Sequence, residues 1–347
     1  MRTNKIIIPR TGARAKFKLV EEGMPLLDAN QILVKAEVCG VAFADVLMRE
    51  GLYPDVERRN LTPGYDVVGR VIDKGSNVNR IAVGDRVASL TQTGAYADHV
   101  VVEEDLSVIC PEHLPAQQLV ALILNYTTAY QMLTRIARVI EGETILVHGA
   151  AGGVGSALVE LGLQMGLTVY GTLSKRKWHA LPEIINHHAL FHKLDYQAQP
   201  FEQALTEHEP EGVDFVFDAI GGGHLKRSYQ ALRSGGVVVS YGFSTAMTQG
   251  NRNWVAAIKG LLKSLISPVT LIQDNKTIAG YGIWNYALAH PVWLREDLSQ
   301  LIQWLDEGRL HPMIAKSYPL AQAECAQDKV SRSDFAGKVV LEMVASG

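Results

Sequence analysis

The amino-acid sequence predicts an α/β protein: a doubly wound, parallel six-stranded sheet plus a discontinuous β-barrel domain. Three observations carry this reading. A glycine-rich stretch, Thr144-Ile-Leu-Val-His-Gly-Ala-Ala-Gly-Gly-Val-Gly-Ser156, reads as strand, tight turn and helix start. From about residue 125 to 285, six apolar β-type runs alternate with helical segments. Residues 1–124 are β-rich, and the tail 286–347 is too short to build its own core. The expected domains are therefore 1–124 with 286–347, and 125–285.

The elements follow in order. The run 31–38 alternates partially and reads as a strand. Runs 65–72 and 84–90 are strands separated by turn residues at Lys74-Gly75-Ser76-Asn77. The run 96–102 adds another strand, and together these suggest a twisted, partly closed antiparallel barrel. A helix over 125–139 leads into the first parallel strand at 144–147. Further strands are expected at 168–172, 189–194, 213–217, 236–240 and 277–281, which completes the set of six. The last connection, 242–275, is unusually long and holds an inserted helix that begins at Trp254. Such insertions are usually lids, binding loops or interfaces. The tail reads as helix 294–305, strand 314–318, helix 321–330 and strand 338–343.

The glycine-rich turn carries the first chemistry. It matches a dinucleotide fingerprint as Ala150-x-Gly152-x-x-Gly155, with alanine at the first position. Ala150 is small enough for the turn, Gly152 lets backbone approach a pyrophosphate, and Gly155 lets helix and strand pack closely. The free N–H groups of the first helical turn then face phosphate. Ala150, Ala151, Gly152, Gly153, Val154 and Gly155 are the candidate contacts. About 20 residues on, NAD enzymes carry an acid for the ribose 2′-hydroxyl. Here Ser174, Lys175, Arg176 and Lys177 stand instead, a hydroxyl and three cations that suit a 2′-phosphate. The expected cofactor is NADP(H).

Bulk composition excludes several classes. A net charge of −3 implies no general attraction to nucleic acid or anionic membrane. Three scattered cysteines cannot form a disulfide framework, which fits a reducing compartment. The N-terminus does not read as a signal peptide, and no apolar run approaches the ~20 residues of a membrane span. A cytoplasmic location is expected.

Other motifs bring a family into view. They are Gly40-Val-Ala-Phe-Ala-Asp-Val-Leu-Met-Arg-Glu-Gly-Leu-Tyr-Pro54, Thr62-Pro-Gly-Tyr-Asp-Val-Val-Gly69, Val83-Gly-Asp-Arg-Val87 and Gly94-Ala-Tyr-Ala-Asp98. Asn125-Tyr-Thr-Thr-Ala-Tyr130, Val213-Asp-Phe-Val-Phe-Asp-Ala-Ile-Gly221 and Gly337-Lys-Val-Val-Leu341 continue the series. With these, nearly the whole chain resembles the zinc-independent medium-chain dehydrogenase/reductases, specifically the quinone oxidoreductase (zeta-crystallin) group. The long insertion and Asn275-Lys-Thr-Ile-Ala-Gly280 look most like the branch of the vesicle amine transport protein homologues. The resemblance implies a GroES-like barrel domain, a Rossmann domain, NADPH in the cleft between them, and a homodimer.

It also implies further cofactor contacts. Thr128 is expected near the nicotinamide, and Ser174, Lys177 and Tyr196 around the 2′-phosphate. Tyr241, Gly242 and Phe243 would line the nicotinamide ribose, Ala279 and Gly280 would meet the carboxamide, and Lys338 would approach from the closing strand. Zinc-dependent relatives carry a Cys in Gly-x-Cys-x-x-Asp and a His in Gly-His-Glu. Those positions here are Ala42 and Tyr65, so no metal is expected. His187, His188 and His192 have no accompanying Glu and read as surface or satisfied histidines.

Hydride transfer to a quinone or a hydrophobic α,β-unsaturated carbonyl asks little of side chains beyond alignment and stabilisation of the developing oxyanion. Tyr53, in the Gly-x-Tyr motif, is the candidate for that second task, with simple aromatic packing as the other reading. Relatives of the quinone reductase type usually carry Asn at the position of Ala42 and often Tyr at that of Leu47. Both polar groups are missing, which leaves the proton donor open. Asp45 reads as a structural cap. Phe43, Leu47, Tyr130, Phe243, Met247 and Trp254 are the expected pocket walls. Two other functions stay open: a 2-enoyl-thioester reductase, and an NADPH-binding interaction protein with little catalysis.

Overall fold

The computed structural model describes residues 2–244, 247–248, 251–252, 265–332 and 335–343. The strands are β1 Arg2–Arg10, β2 Lys18–Gly23, β3 Gln31–Val41, β4 Arg59–Leu61, β5 Asp66–Lys74, β6 Arg86–Leu90, β7 His99–Glu103 and β8 Ser107–Ile109. They continue as β9 Thr144–His148, β10 Thr168–Thr172, β11 Phe191–Leu194, β12 Val213–Asp218, β13 Leu232–Ser240, β14 Met247–Thr248 and β15 Asn251–Arg252. β16 Thr277–Gly280, β17 Ile314–Pro319 and β18 Lys338–Glu342 complete the set. The chain divides into two compact units: Met1–Thr127 with Ile283–Gly347, and Thr128–Gly282.

The first unit is organised by β3. One edge of β3 pairs antiparallel with β5 throughout. The other edge is shared: Gln31–Lys35 pairs with β7, and Val38–Val41 pairs with β18. A strand that changes partner along its length bends the sheet, as two register shifts in its pairing with β5 show. The full order is β17-β18-β3-β5-β6-β8, with β7 beside β3. A second, three-stranded sheet runs β2-β1-β4. Three consecutive isoleucines mask the alternation of β1, yet Ile6 and Ile8 point inward while Ile7 is half-buried. The strand expected over 96–102 begins only at His99, because Gly94 (φ 100°) and a turn at Ala95–Ala97 precede it. The helix expected from 125 begins at Ala116 behind Pro115, whose fixed φ suits a helix start.

One buried contact ties three strands of this unit together. Lys338 on β18 and Asp66 on β5 meet across the intervening β3, with Nζ 2.7 Å from Oδ2 and both side chains essentially inaccessible. Gly40 on β3 makes this geometry available. Its N–H donates to Asp66 Oδ1 at 2.8 Å. A Cβ there would occupy the space of Asp66 Oδ1 and the Lys338 side chain. Only the residue without a side chain lets the two charges pair.

The second unit holds a six-stranded sheet in the order β11-β10-β9-β12-β13-β16, with every neighbouring pair parallel. This is the doubly wound arrangement: the order reverses between β9 and β12, the point where such sheets bind ligands. Registers align the strand ends, with His148 opposite Thr172 and with Asp218, Ser240 and Gly280 level across β12, β13 and β16. Leu146, Tyr170, Leu194, Phe201, Val216 and Val238 form one core layer beneath the sheet. The inserted helix expected from Trp254 lies outside the described residues.

Replacing Gly40 with alanine is expected to separate Lys338 from Asp66 and leave two buried charges uncompensated. Urea unfolding should show a stability loss of about 3–5 kcal/mol. A loss within about 0.5 kcal/mol, the range of ordinary surface substitutions, would refute this account of the glycine.

Candidate functional site

The glycine-rich turn joins β9 to a helix, Gly153–Gln164. Gly149 opens the turn in the left-handed region (φ 69°), and the Gly152 N–H donates to the Gly149 carbonyl at 2.8 Å. Gly155 lies against that same carbonyl, where a Cβ would collide with it. Ala150 is fully buried, and its methyl is accommodated because Gly171 opposite has none. Gly152, Gly153 and Val154 remain partly accessible, so the N–H groups that begin the helix stay open to an anion.

The candidates for the adenosine end follow β10. Ser174 is 1% exposed, and its Oγ has no hydrogen-bond partner. A buried orphan hydroxyl is costly unless a ligand completes it. Lys175 and Arg176 beside it are exposed, Lys177 is half-buried, and Tyr196 after β11 is exposed. The candidates for the other end follow β13 and β16. Gly242 packs so closely on Ala219 that a Cβ would clash, and Phe243 lies against Gly221. Ala279 and Gly280 pair in register with Val239 and Ser240, which sets them beside the segment that begins at Tyr241. Thr128 is buried near the start of this unit, and Tyr130 is half-buried. The six-stranded sheet thus gathers the turns after β9, β10, β12, β13 and β16 at one end. Trp254 lies outside the described residues, and Met247 is described only as part of β14.

In the first unit, Ala42 caps a short helix, Phe43–Arg49. Asp45 Oδ2 accepts the Ala42 N–H at 2.8 Å, and Oδ1 accepts the Gly64 N–H at 3.0 Å. Asp45 is therefore a cap, buried completely. Burial pushes its carboxyl up to about 7, against the lowering effect of those two N–H donors. Phe43 and Leu47 are half-buried on the same helix. Tyr53 follows in the next loop, with its hydroxyl 2.8 Å from that of Tyr65 and the rings edge to face. Burial, partly offset by the Tyr65 hydrogen bond, raises the Tyr53 pKa, so its phenol stays protonated at neutral pH. Lys338, expected near the cofactor, has its ammonium on Asp66. Sequence reasoning treated Tyr65 only as a lost ligand position and missed it as the partner of Tyr53. No spacing rule links residues 53 and 65.

The comparisons with known proteins agree with this frame. The alcohol dehydrogenase GroES-like domain family matches residues 28–112, and the zinc-binding dehydrogenase family matches 187–341. A human synaptic vesicle membrane protein VAT-1 homolog is 30% identical over 340 residues, covering 97% of this chain and 85% of that protein. The chain belongs to the medium-chain dehydrogenase/reductase superfamily. Among solved structures, a quinone oxidoreductase from Pseudomonas syringae superposes with a TM-score of 0.83 and 26% identity, over 98% of this chain and 99% of that one. A mycobacterial protein complexed with NADPH superposes at 0.82 with 23% identity, over 98% and 99%. The superfamily is one of oxidoreductases, and this chain is read as one. Among the described residues, no helix is long and apolar enough to cross a membrane.

Asp45 generates a pH prediction. Its folded pKa lies above the ordinary carboxylate value of 3.8, so the folded state holds a proton that the unfolded chain releases. Stability should therefore fall as pH rises from about 4 to about 7, by at most about 1.4 kcal/mol per pH unit, and level off above. Denaturant midpoints of wild type and Asp45→Asn across this range test it. An equal slope in both proteins would exclude Asp45 as the titrating group.

Proposed function

We propose that this chain is an NADPH-dependent, zinc-independent reductase acting on quinones or hydrophobic α,β-unsaturated carbonyls. The Tyr53–Tyr65 hydroxyl pair carries the reading. It sets the protonated phenol of Tyr53 against Tyr65, the buried residue that the resemblance places where zinc-dependent relatives carry a ligand. The orphaned Ser174 Oγ and the side-chain-free approach at Gly155 fit a dinucleotide with a 2′-phosphate.

In this reading the N–H groups at Gly153, Val154 and Gly155 hold the pyrophosphate, and the turn from Ala150 to Gly152 closes around it. Ser174 and Lys177 receive the 2′-phosphate, with Tyr196 beside them. Thr128, Tyr241, Gly242, Phe243, Ala279 and Gly280 orient the nicotinamide end. When bound, NADPH supplies the hydride. Tyr53 donates a hydrogen bond to the acceptor oxygen as negative charge develops there. Tyr65 limits the rotation of the Tyr53 hydroxyl, so the donor is oriented before reaction. Phe43 and Leu47 of the first unit, and Tyr130 and Phe243 of the second, are each half-buried apolar or aromatic side chains, a composition that favours aromatic or hydrophobic acceptors. The similarity to a quinone oxidoreductase supports the substrate class. Solution as a homodimer and a cytoplasmic location belong to the same proposal.

A second reading follows from Ala42 and Leu47, which place no polar group where quinone reductases carry them. It is an NADPH-binding interaction protein with little catalysis. NADPH oxidation with 9,10-phenanthrenequinone or 1,4-naphthoquinone separates the two. The reductase reading expects turnover, and Tyr53→Phe should lower kcat about tenfold to a hundredfold with NADPH affinity unchanged. Tight NADPH binding without turnover on quinones or enones would favour the interaction protein.

Cofactor choice is tested separately. Lys177→Ala should raise the Kd for NADPH about tenfold while changing NADH by less than about twofold. Equal weakening of both would exclude Lys177 as a 2′-phosphate ligand.

A further inference from the structure

A buried polar cluster in the second unit takes no part in the reaction just described. His148 ends β9, Thr172 ends β10 and Asp218 ends β12. His224 and Ser228 come from the helix Gly223–Gln230. His148 Nδ1 lies 3.1 Å from Thr172 Oγ1, and its Nε2 lies 3.2 Å from Ser228 Oγ. Ser228 Oγ is 2.6 Å from Asp218 Oδ2, and His224 Nδ1 is 3.2 Å from the same oxygen. Asp218 Oδ1 accepts the N–H groups of Ile220 and Gly221 at 2.7 and 2.9 Å. Thr172 Oγ1 accepts the Gly149 N–H at 3.3 Å. His148, Thr172, Asp218 and Ser228 are all buried.

The chemistry of these groups orders every proton in the chain. Burial alone would raise the Asp218 carboxyl, but hydrogen bonds from His224 and Ser228 and the nearby imidazoles hold it well below the usual range. An ionised carboxylate only accepts, so Ser228 must donate to it. The Ser228 oxygen is then an acceptor towards His148, whose Nε2 must carry the proton. Burial, with His224 beside it, pushes the His148 pKa down to about 3, so the ring is neutral and its Nδ1 accepts. Thr172 donates to that nitrogen while its oxygen accepts from Gly149. The sequence runs Gly149 N–H, Thr172 O–H, His148 N–H, Ser228 O–H, Asp218, with Ile220 and Gly221 bound to the far oxygen.

The two ends of this chain are the turns on either side of the sheet's switch point. Gly149 (φ 69°) opens the glycine-rich turn, and Gly221 and Gly222 (φ 70° and 57°) open the turn after β12. We propose that His148, Thr172, Ser228 and Asp218 form a positioning chain that locks these two turns together in the conformation that receives the cofactor. None of the four touches the cofactor in this account; each acts through the backbone of Gly149, Ile220 or Gly221. His224, half-buried, adds a further contact to Asp218 Oδ2 at 3.2 Å. The inference rests on the NADPH reading above.

The donor atoms of His148, Asp218 and His224 lie within 4.8 Å of one another, a spacing that also suits a divalent cation. Ser228 Oγ lies within hydrogen-bond distance of all three residues, at 3.2, 2.6 and 3.3 Å. This satisfies the donors without an ion and favours the hydrogen-bonded chain.

Two measurements test the proposal. The first needs no cofactor: imidazole 15N shifts of the apo protein should show His148 as the neutral Nε2–H tautomer from pH 5 to 8. The Nδ1–H tautomer or an imidazolium would overturn it, as would one equivalent of Zn2+ binding and shifting the His148 and His224 signals. The second compares NADPH affinity, by cofactor fluorescence, with thermal stability in Ser228→Ala and Thr172→Val. Thr172→Val preserves side-chain shape and serves if Ser228→Ala does not fold. The Kd should rise about tenfold in variants that retain the fold, the scale of one buried hydrogen bond. A lowered Tm with unchanged Kd would show a merely structural role and overturn the proposal. Wild-type protein that does not bind NADPH would remove the cofactor reading, while the 15N result would still report on the chain itself.

Discussion

The second unit depends on a single close approach. At Gly155 the first turn of the helix Gly153–Gln164 comes so near the Gly149 carbonyl that no side chain fits between them. That contact brings helix, turn and β9 into one compact corner. The free N–H groups of the helix then lie at the end of the sheet where the strand order reverses. Ala150 has its methyl where Gly171 leaves room, so the alanine in the fingerprint is matched by a glycine on the neighbouring strand. The substitution is local in sequence; its compensation is a residue from β10.

The first unit uses the same device for a different purpose. Gly40 omits a side chain so that Lys338 and Asp66 can pair over β3, and its own N–H completes the carboxylate. A pair buried this deeply offers little net stabilisation against an apolar core but is destructive when broken. Its effect is to specify register, since only one alignment of β18, β3 and β5 brings both charges over a glycine. Asp45 does comparable work on the adjacent helix by binding the Ala42 and Gly64 N–H groups. It thereby connects the segment that begins the helix to the segment that contains Tyr65. The Tyr53–Tyr65 contact closes the same loop from the other side.

What could be read from sequence was what local rules encode. The parallel strands announced themselves as apolar runs, and the fingerprint required only a strand before it and a helix after it. Ser174 with its basic neighbours was visible because it follows the second strand directly. Less legible were features whose signal is diluted or non-local. Strand β1 was hidden by three consecutive isoleucines, and the helix before the sheet started nine residues before its expected position because its first apolar residues carry no clear period. The pairing of the Lys338 ammonium with Asp66 has no local signal either, because the two residues lie 272 positions apart in sequence.

The sequence alone determined the doubly wound sheet and the glycine turn that joins its first strand to a helix. Each rests on residue types within a few positions of one another, where backbone sterics and hydrogen-bonding capacity act directly. Only the tertiary structure decided that Tyr65 partners Tyr53, that Gly40 exists for the Asp66–Lys338 pair, and that His148, Thr172, Ser228 and Asp218 join into one proton-ordered chain. Those contacts link residues 10 to 272 positions apart. Their energies depend on burial and on a vacancy left by a glycine elsewhere, neither of which exists until the strands have paired.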